Sequence, residues 1–438
     1  MSSVSSRPDV GVLGAGIMGC CLALELARRG HRVDLIERAP APMTGASLHN
    51  EGKLHLGFVY ANDPQQETHR LMARGSLSFA RILEQLTGAG VSSLATSQPF
   101  HYFVPVGSQL DLARIDEHFH AVDETLREIG RSTGDRYLGQ NPDRWFERNA
   151  DVDHAARFAP ALTQGSFCTR ERSVSPVAVA GILTRAVTGH PGIRFVGDTE
   201  VVAARRLSGG EVDIEWRRGG QDSSSRYACA ANCLWEDKLR VDATAGIPDG
   251  GPWLLRYKAT IGLVVDSPAP TNIPSATGIL GSYGDVVDFG DGTYYVSWYP
   301  RCKLAQSTDG EGRKLHESVH TSGLTRRVRK MLSGFPSLAK SVSSLAHRGF
   351  ARDCIRDMTA YVPSLDGLLA RARHVAVGGG VIVARGATDI DDPRSFLHRR
   401  SAVGPVAYGS YVTVDTGKYC TAPMFALEAA AMIADVLR

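Results

Sequence analysis

The chain has 438 residues, 43% of them hydrophobic, and carries 49 Lys and Arg against 46 Asp and Glu for a net charge of +3. That length exceeds one ordinary core and suits two interleaved domains. The small net charge, with no basic stripe interleaved with aromatics, argues against a nucleic-acid partner. The eight cysteines include no CxxC pair or zinc spacing, so no metal site is expected. The opening MSSVSSRPD has no apolar leader core, and the cysteines read as reduced thiols of a cytoplasmic protein. No run of about 18 apolar residues is seen, so no membrane span is expected.

In chain order, a short apolar strand from Val10 to Leu13 leads into Gly14-x-Gly16-x-x-Gly19, with Ile17 and Met18 inside the pattern. A helix follows and stops at Gly30, and a second strand from Arg32 to Ile36 ends in Glu37 and Arg38. Gly14 permits a tight strand-to-helix turn, Gly16 lets backbone approach a pyrophosphate, and Gly19 lets the helix pack on the strand. The helix start offers free N–H groups and a positive dipole end to phosphates. Glu37 stands where an acid that binds ribose hydroxyls is expected, and an acid there argues against a 2′-phosphate. The pattern predicts a dinucleotide site without choosing FAD over NAD. The long polar loop after Arg38 reads as functional rather than as a simple turn.

Residues 63–90 have helical periodicity, 98–106 read as a strand and 109–131 as a polar helix. Ser175 and Pro176 start a helix through 187. Residues 193–196, 199–204, 211–216 and 225–231 alternate as strands. A long strand spans 253–265, and Asp291-Gly292 between 286–289 and 293–298 signals a hairpin. A basic helical segment at 311–333 includes Arg326, Arg327, Arg329 and Lys330, read as a solvated face. Residues 374–383 are expected to return to the first sheet, and 423–437 form the last helix. Tyr295, Ser297 and Tyr299 share one strand face, Tyr294, Val296 and Trp298 the other.

These features together resemble the D-amino-acid-oxidase-like family of FAD-dependent oxidoreductases, which includes glycine oxidase, sarcosine oxidase, dimethylglycine dehydrogenase and L-2-hydroxyglutarate dehydrogenase. GAGIMG with Glu37 matches the family opening, and TGASLHNEGKLHLG resembles the segment that wraps the pyrophosphate and flavin ring. AANCLWEDKLRVDATAG is similar to a strand-end segment, with Cys233 where Gly is usual, putting close packing there in question. YVPSLDG resembles the C-terminal Pro–Asp-Gly turn, and DTGKYCTAPMFALEAA the loop before the last helix. The resemblance implies an α/β fold in which a Rossmann-like FAD domain is interleaved with a mixed-sheet substrate domain. The FAD domain is expected at 1–90, 166–249 and 351–438, and the substrate domain, covering the flavin, at 91–165 and 250–350.

The cofactor set is then Gly14, Gly16, Ile17, Met18, Gly19, Glu37, Arg38, Ser47, His49, Asn50, Glu51, Gly52, Val201, Gly417, Lys418, Tyr419 and Thr421. His49 matches the spacing of a histidine joined covalently to FAD in dimethylglycine-dehydrogenase-like members; non-covalent contact is the favoured reading. Lys53 and His55 share one face of an extended segment and are expected to face the substrate, with His55 as a base near neutrality. Tyr299 and Arg352 complete the catalytic candidates. Arg256, Lys258, Arg301 and Arg352 are candidate clamps for a carboxylate or phosphate. The implied function is oxidation of a C–H next to N or O in an amine, amino acid, 2-hydroxy acid or sugar-like metabolite. An NAD-dependent dehydrogenase and a non-catalytic flavin subunit are the alternatives.

Overall fold

The computed structural model describes residues 9–266, 272–321 and 336–438, without the side chains of 320–345. The basic run Arg326 to Lys330 lies outside the described residues.

Short apolar strands flanked by helices build a six-stranded sheet. Its order is Gly404–Tyr408, Tyr411–Asp415, Cys229–Asn232, Val10–Leu13, Val33–Ile36 and Ile193–Val196, parallel except at the Gly404–Tyr408 edge. The strands are almost continuously apolar because helices cover the sheet. Helix Ile17–Arg28 lies against helices Ala422–Val436 and Pro176–Gly189. Ser175 caps the latter as expected, its side chain accepting from Ala178 N.

The second sheet has nine strands: Lys303–Ser307, Trp253–Val265, Thr293–Trp298, Gly284–Asp288, Ser275–Gly278, Phe100–Pro105, Thr163–Thr169 and Phe146–Arg148 in order, with Ala372–Arg385 along the other edge of Trp253–Val265. The hairpin forms where Asp291-Gly292 places it, pairing Val286 with Val296. Tyr294, Val296 and Trp298 enter the core of this domain, as their shared face predicts.

Two expectations change. Strand Ala372–Arg385 does not return to the first sheet; it runs antiparallel to Trp253–Val265 along its whole length. The 351–438 block is therefore divided, with strand Ala372–Arg385 in the second sheet and strands Gly404–Tyr408 and Tyr411–Asp415 in the six-stranded one. The stretch 225–231 is two strands, Gln221–Tyr227 in a separate three-stranded sheet and Cys229–Asn232 in the parallel one. One backbone cannot serve both ladders, so it breaks at Ala228.

Among the described residues one helical stretch, Tyr419–Val436, is long and apolar enough to cross a membrane by length and composition, with mean hydropathy 1.2. Ala422, Phe425, Ala426, Ala429, Ala430 and Ile433 are buried in the core instead.

Candidate active site

A cavity of about 460 Å³ runs between the two sheets, from the Gly14–Met18 turn past Glu37, Arg38 and Val201, along 44–51, to Gly417–Tyr419, Tyr295, Lys258 and Arg400. Its outer end is built as the glycine pattern requires. Gly14 adopts φ +92, and a Cβ there would lie 2.8 Å from the Cys233 carbonyl. Cys233 N also donates to Leu13 O at 2.8 Å, so close packing survives with Cys in place of Gly. A Cβ on Gly19 would stand 1.8 Å from Gly14 O. The first turn of helix Ile17–Arg28 has no side-chain cap and no acid, so it can receive an anion. Ser47 Oγ accepts from Ile17 N at 3.0 Å. The Glu37 carboxylate accepts from Ala15 N and Ala39 N at 2.8 and 3.0 Å. Arg38 turns to Glu236 and Asp237. These groups fit a dinucleotide lacking a 2′-phosphate.

The polar loop crosses toward the inner end. His49 lies against the Gly378–Gly380 run, where a Cβ on Gly378 would approach His49 Nδ1 to 2.5 Å. Desolvation there and nearby His316 lower its pKa. Asn50 ties the loop together, donating to Ala46 O and Ser47 O and accepting from Gly52 N. Gly52 needs φ +67 and sits where a Cβ would be 1.9 Å from Val174 O. Thr421 lies behind the wall, bonding Thr416 O and Lys418 O to shape the 416–418 turn.

At the inner end charges converge. Lys53 Nζ, 2% exposed as a residue, bonds Thr277 and the Asp285 carboxylate (2.9 Å) and lies 4.0 Å from the Phe100 ring centre. Burial opposes the charge on Glu51, but His55, Lys258 and Lys418 outweigh it and hold its carboxyl well below the usual range. His55 sits between Glu51 (3.8 Å) and Glu171 (4.0 Å), and its Nδ1 has no hydrogen-bond partner. Burial, then Lys418 and Lys53, bring His55 down to about 3, so the ring is neutral at pH 7 and a weaker base than its ordinary value implies. Burial and Arg400 bring Lys418 down to about 8.

Tyr299 and Arg352 are not part of the cavity lining. Tyr299 follows its strand in a short helical turn, where its hydroxyl bonds Asp389 (2.6 Å) and Arg256 (3.1 Å). Arg352 lies on the helix Pro336–Thr359 with a side chain 68% exposed, beside Asp353. The face of that helix carrying Arg352 meets solvent, so it is no clamp here. Arg301 is likewise exposed and pairs with Asp357. Of the clamp candidates only Lys258 lines the cavity.

Sequence reasoning missed Arg400, Glu171 and Asp285. Arg400 is buried, lines the cavity and donates to Gly417 O at 2.7 Å, with Nε unpartnered. Glu171 is fully buried, accepts from Leu56 N at 2.6 Å and from the Tyr102 hydroxyl, and has a pKa raised by burial. No motif marks either residue.

The family model described as "DAO: FAD dependent oxidoreductase" matches residues 9–388. Over 376 residues the chain is 27% identical to the tRNA 5-methylaminomethyl-2-thiouridine biosynthesis bifunctional protein MnmC of Burkholderia pseudomallei (strain 1106a), covering 85% of this chain and 50% of that protein. Over 51 residues it is 46% identical to D-amino acid dehydrogenase 2 of Ralstonia nicotianae, 12% of each chain. The matches thus span half or less of these relatives' own lengths. The fold is similar to glycine oxidase from Geobacillus kaustophilus, with TM-score 0.63 and 15% identity over 98% of this chain and 94% of that one. It is also similar to FAD-bound L-alpha-glycerophosphate oxidase from Mycoplasma pneumoniae, with TM-score 0.61 and 15% identity over 98% and 95% of the two chains. The glycine turn, the uncapped helix start and the family match over most of the chain agree: this protein belongs to the FAD-dependent oxidoreductase family, and its cofactor is FAD.

Proposed function

We propose that the chain oxidises a small polar metabolite at a C–H next to nitrogen or oxygen, in an amine, amino acid, 2-hydroxy acid or sugar-like molecule. The observation that carries this reading is the convergence of Glu51, His55, Lys258, Tyr295, Arg400 and Lys418 on the inner end of a cavity that begins at a dinucleotide turn. Bound FAD supplies the hydride acceptor. Gly14–Gly19 and Ser47 would hold its pyrophosphate, Glu37 a ribose, and the 47–52 and 417–419 segments its ring. His55 lines the cavity with a ring that is neutral at pH 7, and in this reading it accepts the proton of a substrate amine or hydroxyl. Lys418, brought to about 8, and Arg400 favour negative charge beside them. Eight free cysteines agree with a cytoplasmic setting for this chemistry.

The test is the absorption spectrum of purified protein, then anaerobic titration with a panel of amino acids, amines, 2-hydroxy acids and sugars. Loss of the flavin band with one class is the expected result. A yellow protein that no member of the panel bleaches would favour a non-catalytic flavin subunit.

A further inference from the structure

All eight cysteines lie among the described residues, and all are free thiols. Two of them meet across the substrate domain. Cys302 closes the short helical turn Tyr299–Cys302 that follows strand Thr293–Trp298. Cys354 lies on helix Pro336–Thr359, which packs against that strand. Both thiols are fully buried, and their sulfurs are 3.9 Å apart. The two residues are 52 positions apart in the chain, so the fold makes this contact and no local spacing does.

The two thiols are not equivalent. Cys302 Sγ accepts from Trp298 N at 3.3 Å. Of the eight, Cys302 alone is held below its ordinary value: the Cys354 thiol donates to it, and against burial the Trp298 N–H and Lys258 add to the effect. The same contact and burial push Cys354 up, and burial pushes up the other six. A sulfur that receives hydrogen bonds beside a cation reacts as the thiolate, and a thiol in contact with it turns a first oxidation into a disulfide. The surroundings thus supply one attacking and one resolving sulfur. The pair also adjoins the cavity wall, since Lys258 lines the cavity and strand Thr293–Trp298 contributes Tyr295 to the same lining.

We propose that Cys302 and Cys354 are an oxidative modification site, which a peroxide converts to a disulfide that ties helix Pro336–Thr359 to the strand walling the cavity. The Cys302 thiolate attacks one oxygen of hydrogen peroxide and the O–O bond breaks, leaving a sulfenic acid on Cys302. The hydroxide released takes a proton and becomes water. The Cys354 sulfur then attacks Cys302 Sγ. The S–S bond forms, the S–O bond breaks, and the departing hydroxide takes the Cys354 proton as a second water. Two thiols lose two electrons and two protons, and one peroxide is reduced to two waters. Bonding turns Cys302 Sγ away from Trp298 N, and a thiol reductant reverses the step.

The experiment uses the FAD-loaded protein, reduced and then freed of reductant, with hydrogen peroxide as the oxidant. Alkylation in denaturant and peptide mapping by mass spectrometry should find a Cys302–Cys354 cross-linked peptide, two hydrogens lighter than its parts. It should form before any other thiol is lost, and dithiothreitol should reverse it. The bridge closes a loop across 52 positions, so the oxidised protein should melt up to about 4 °C higher. Cys354→Ser should stop at a sulfenic acid on Cys302 that dimedone traps, while in Cys302→Ser the remaining Cys354 should react several-fold more slowly. Full alkylation of both cysteines after excess peroxide, or earlier loss of another thiol, would overturn the site. So would Cys354 trapped as readily as Cys302. The mapping on the parent chain stands whether or not the variants fold, and none of these readouts needs turnover.

Discussion

Lys53 separates an architectural role from a chemical one. Lys53→Met keeps most of the apolar stem over Phe100 and removes the charge that faces Asp285. Removing one partner of a buried ion pair costs about 3–5 kcal/mol, because the other charge is left uncompensated. Lys258 Nζ stands 3.7 Å from the second Asp285 oxygen and retains part of that compensation, so the low end, about 3 kcal/mol, is expected. Unfolding entropy of about 2.1 cal/mol/K per residue gives about 0.9 kcal/mol/K for 438 residues. The melting temperature should therefore fall by about 3 °C. Asp285, held below its ordinary value by Lys53 and Lys258 against its burial, should titrate higher in the variant. Adding Asp285→Asn removes the orphaned charge, so the double variant should be more stable than the two single losses predict, by about 0.5–3 kcal/mol. The assay is thermal unfolding of the FAD-loaded protein followed by circular dichroism and flavin fluorescence. Strictly additive losses, or no loss in Lys53→Met, would refute the pairing. Recovered stability with substrate-driven flavin reduction still slow would return Lys53 to the substrate.

Three further outcomes are expected. Gly16→Val brings a side chain toward Ser47 Oγ, only 3.0 Å from the Cβ position, and should lower FAD per folded protein; a yellow variant with full flavin content would displace the pyrophosphate from this turn. Acid precipitation should release flavin into solution if the His49 contact is non-covalent, and flavin kept in the pellet would establish the covalent bond. Burial brings His69 down to about 3 and His118 to about 4, so both rings are neutral in the fold. Stability should be full above the ordinary value of 6.5 and be lost as pH falls from there toward 4, by up to about 1.4 kcal/mol per unit per histidine; a flat melting temperature across that range would refute it.

The dinucleotide turn was legible because its demands are local. Gly14 needs a positive φ, and Gly14 and Gly19 must come within contact of each other, so both must be glycine whatever the rest of the chain does. The Ser175 cap and the 284–298 hairpin follow from equally short-range rules. The partner of Ala372–Arg385 was not legible, since its three glycines are selected by His49, Tyr257 and Ala46, contacts that exist only after folding. Asp285 is 232 residues from Lys53, and no spacing rule reaches that far. Arg352 failed for a related reason: an arginine near the right segment says nothing about which helix face meets solvent.

The loop from His49 to His55 shows how the remaining roles sort themselves. Its polarity marks a site, because so many polar groups would be costly in an ordinary buried connection. Yet each polar group must first satisfy the fold. Asn50 is spent on its own loop, Gly52 on the turn against Val174, and Lys53 on Thr277 and Asp285. What is left over is free to meet a ligand. Glu51 is held charged by its cationic neighbours, and His55 keeps one buried nitrogen with nothing to bond. The same subtraction separates Arg400, with an unpartnered Nε on the cavity wall, from Arg352, which solvent already satisfies. Hydrogen-bonding capacity that the fold has not used is a property of the assembled structure rather than of any motif.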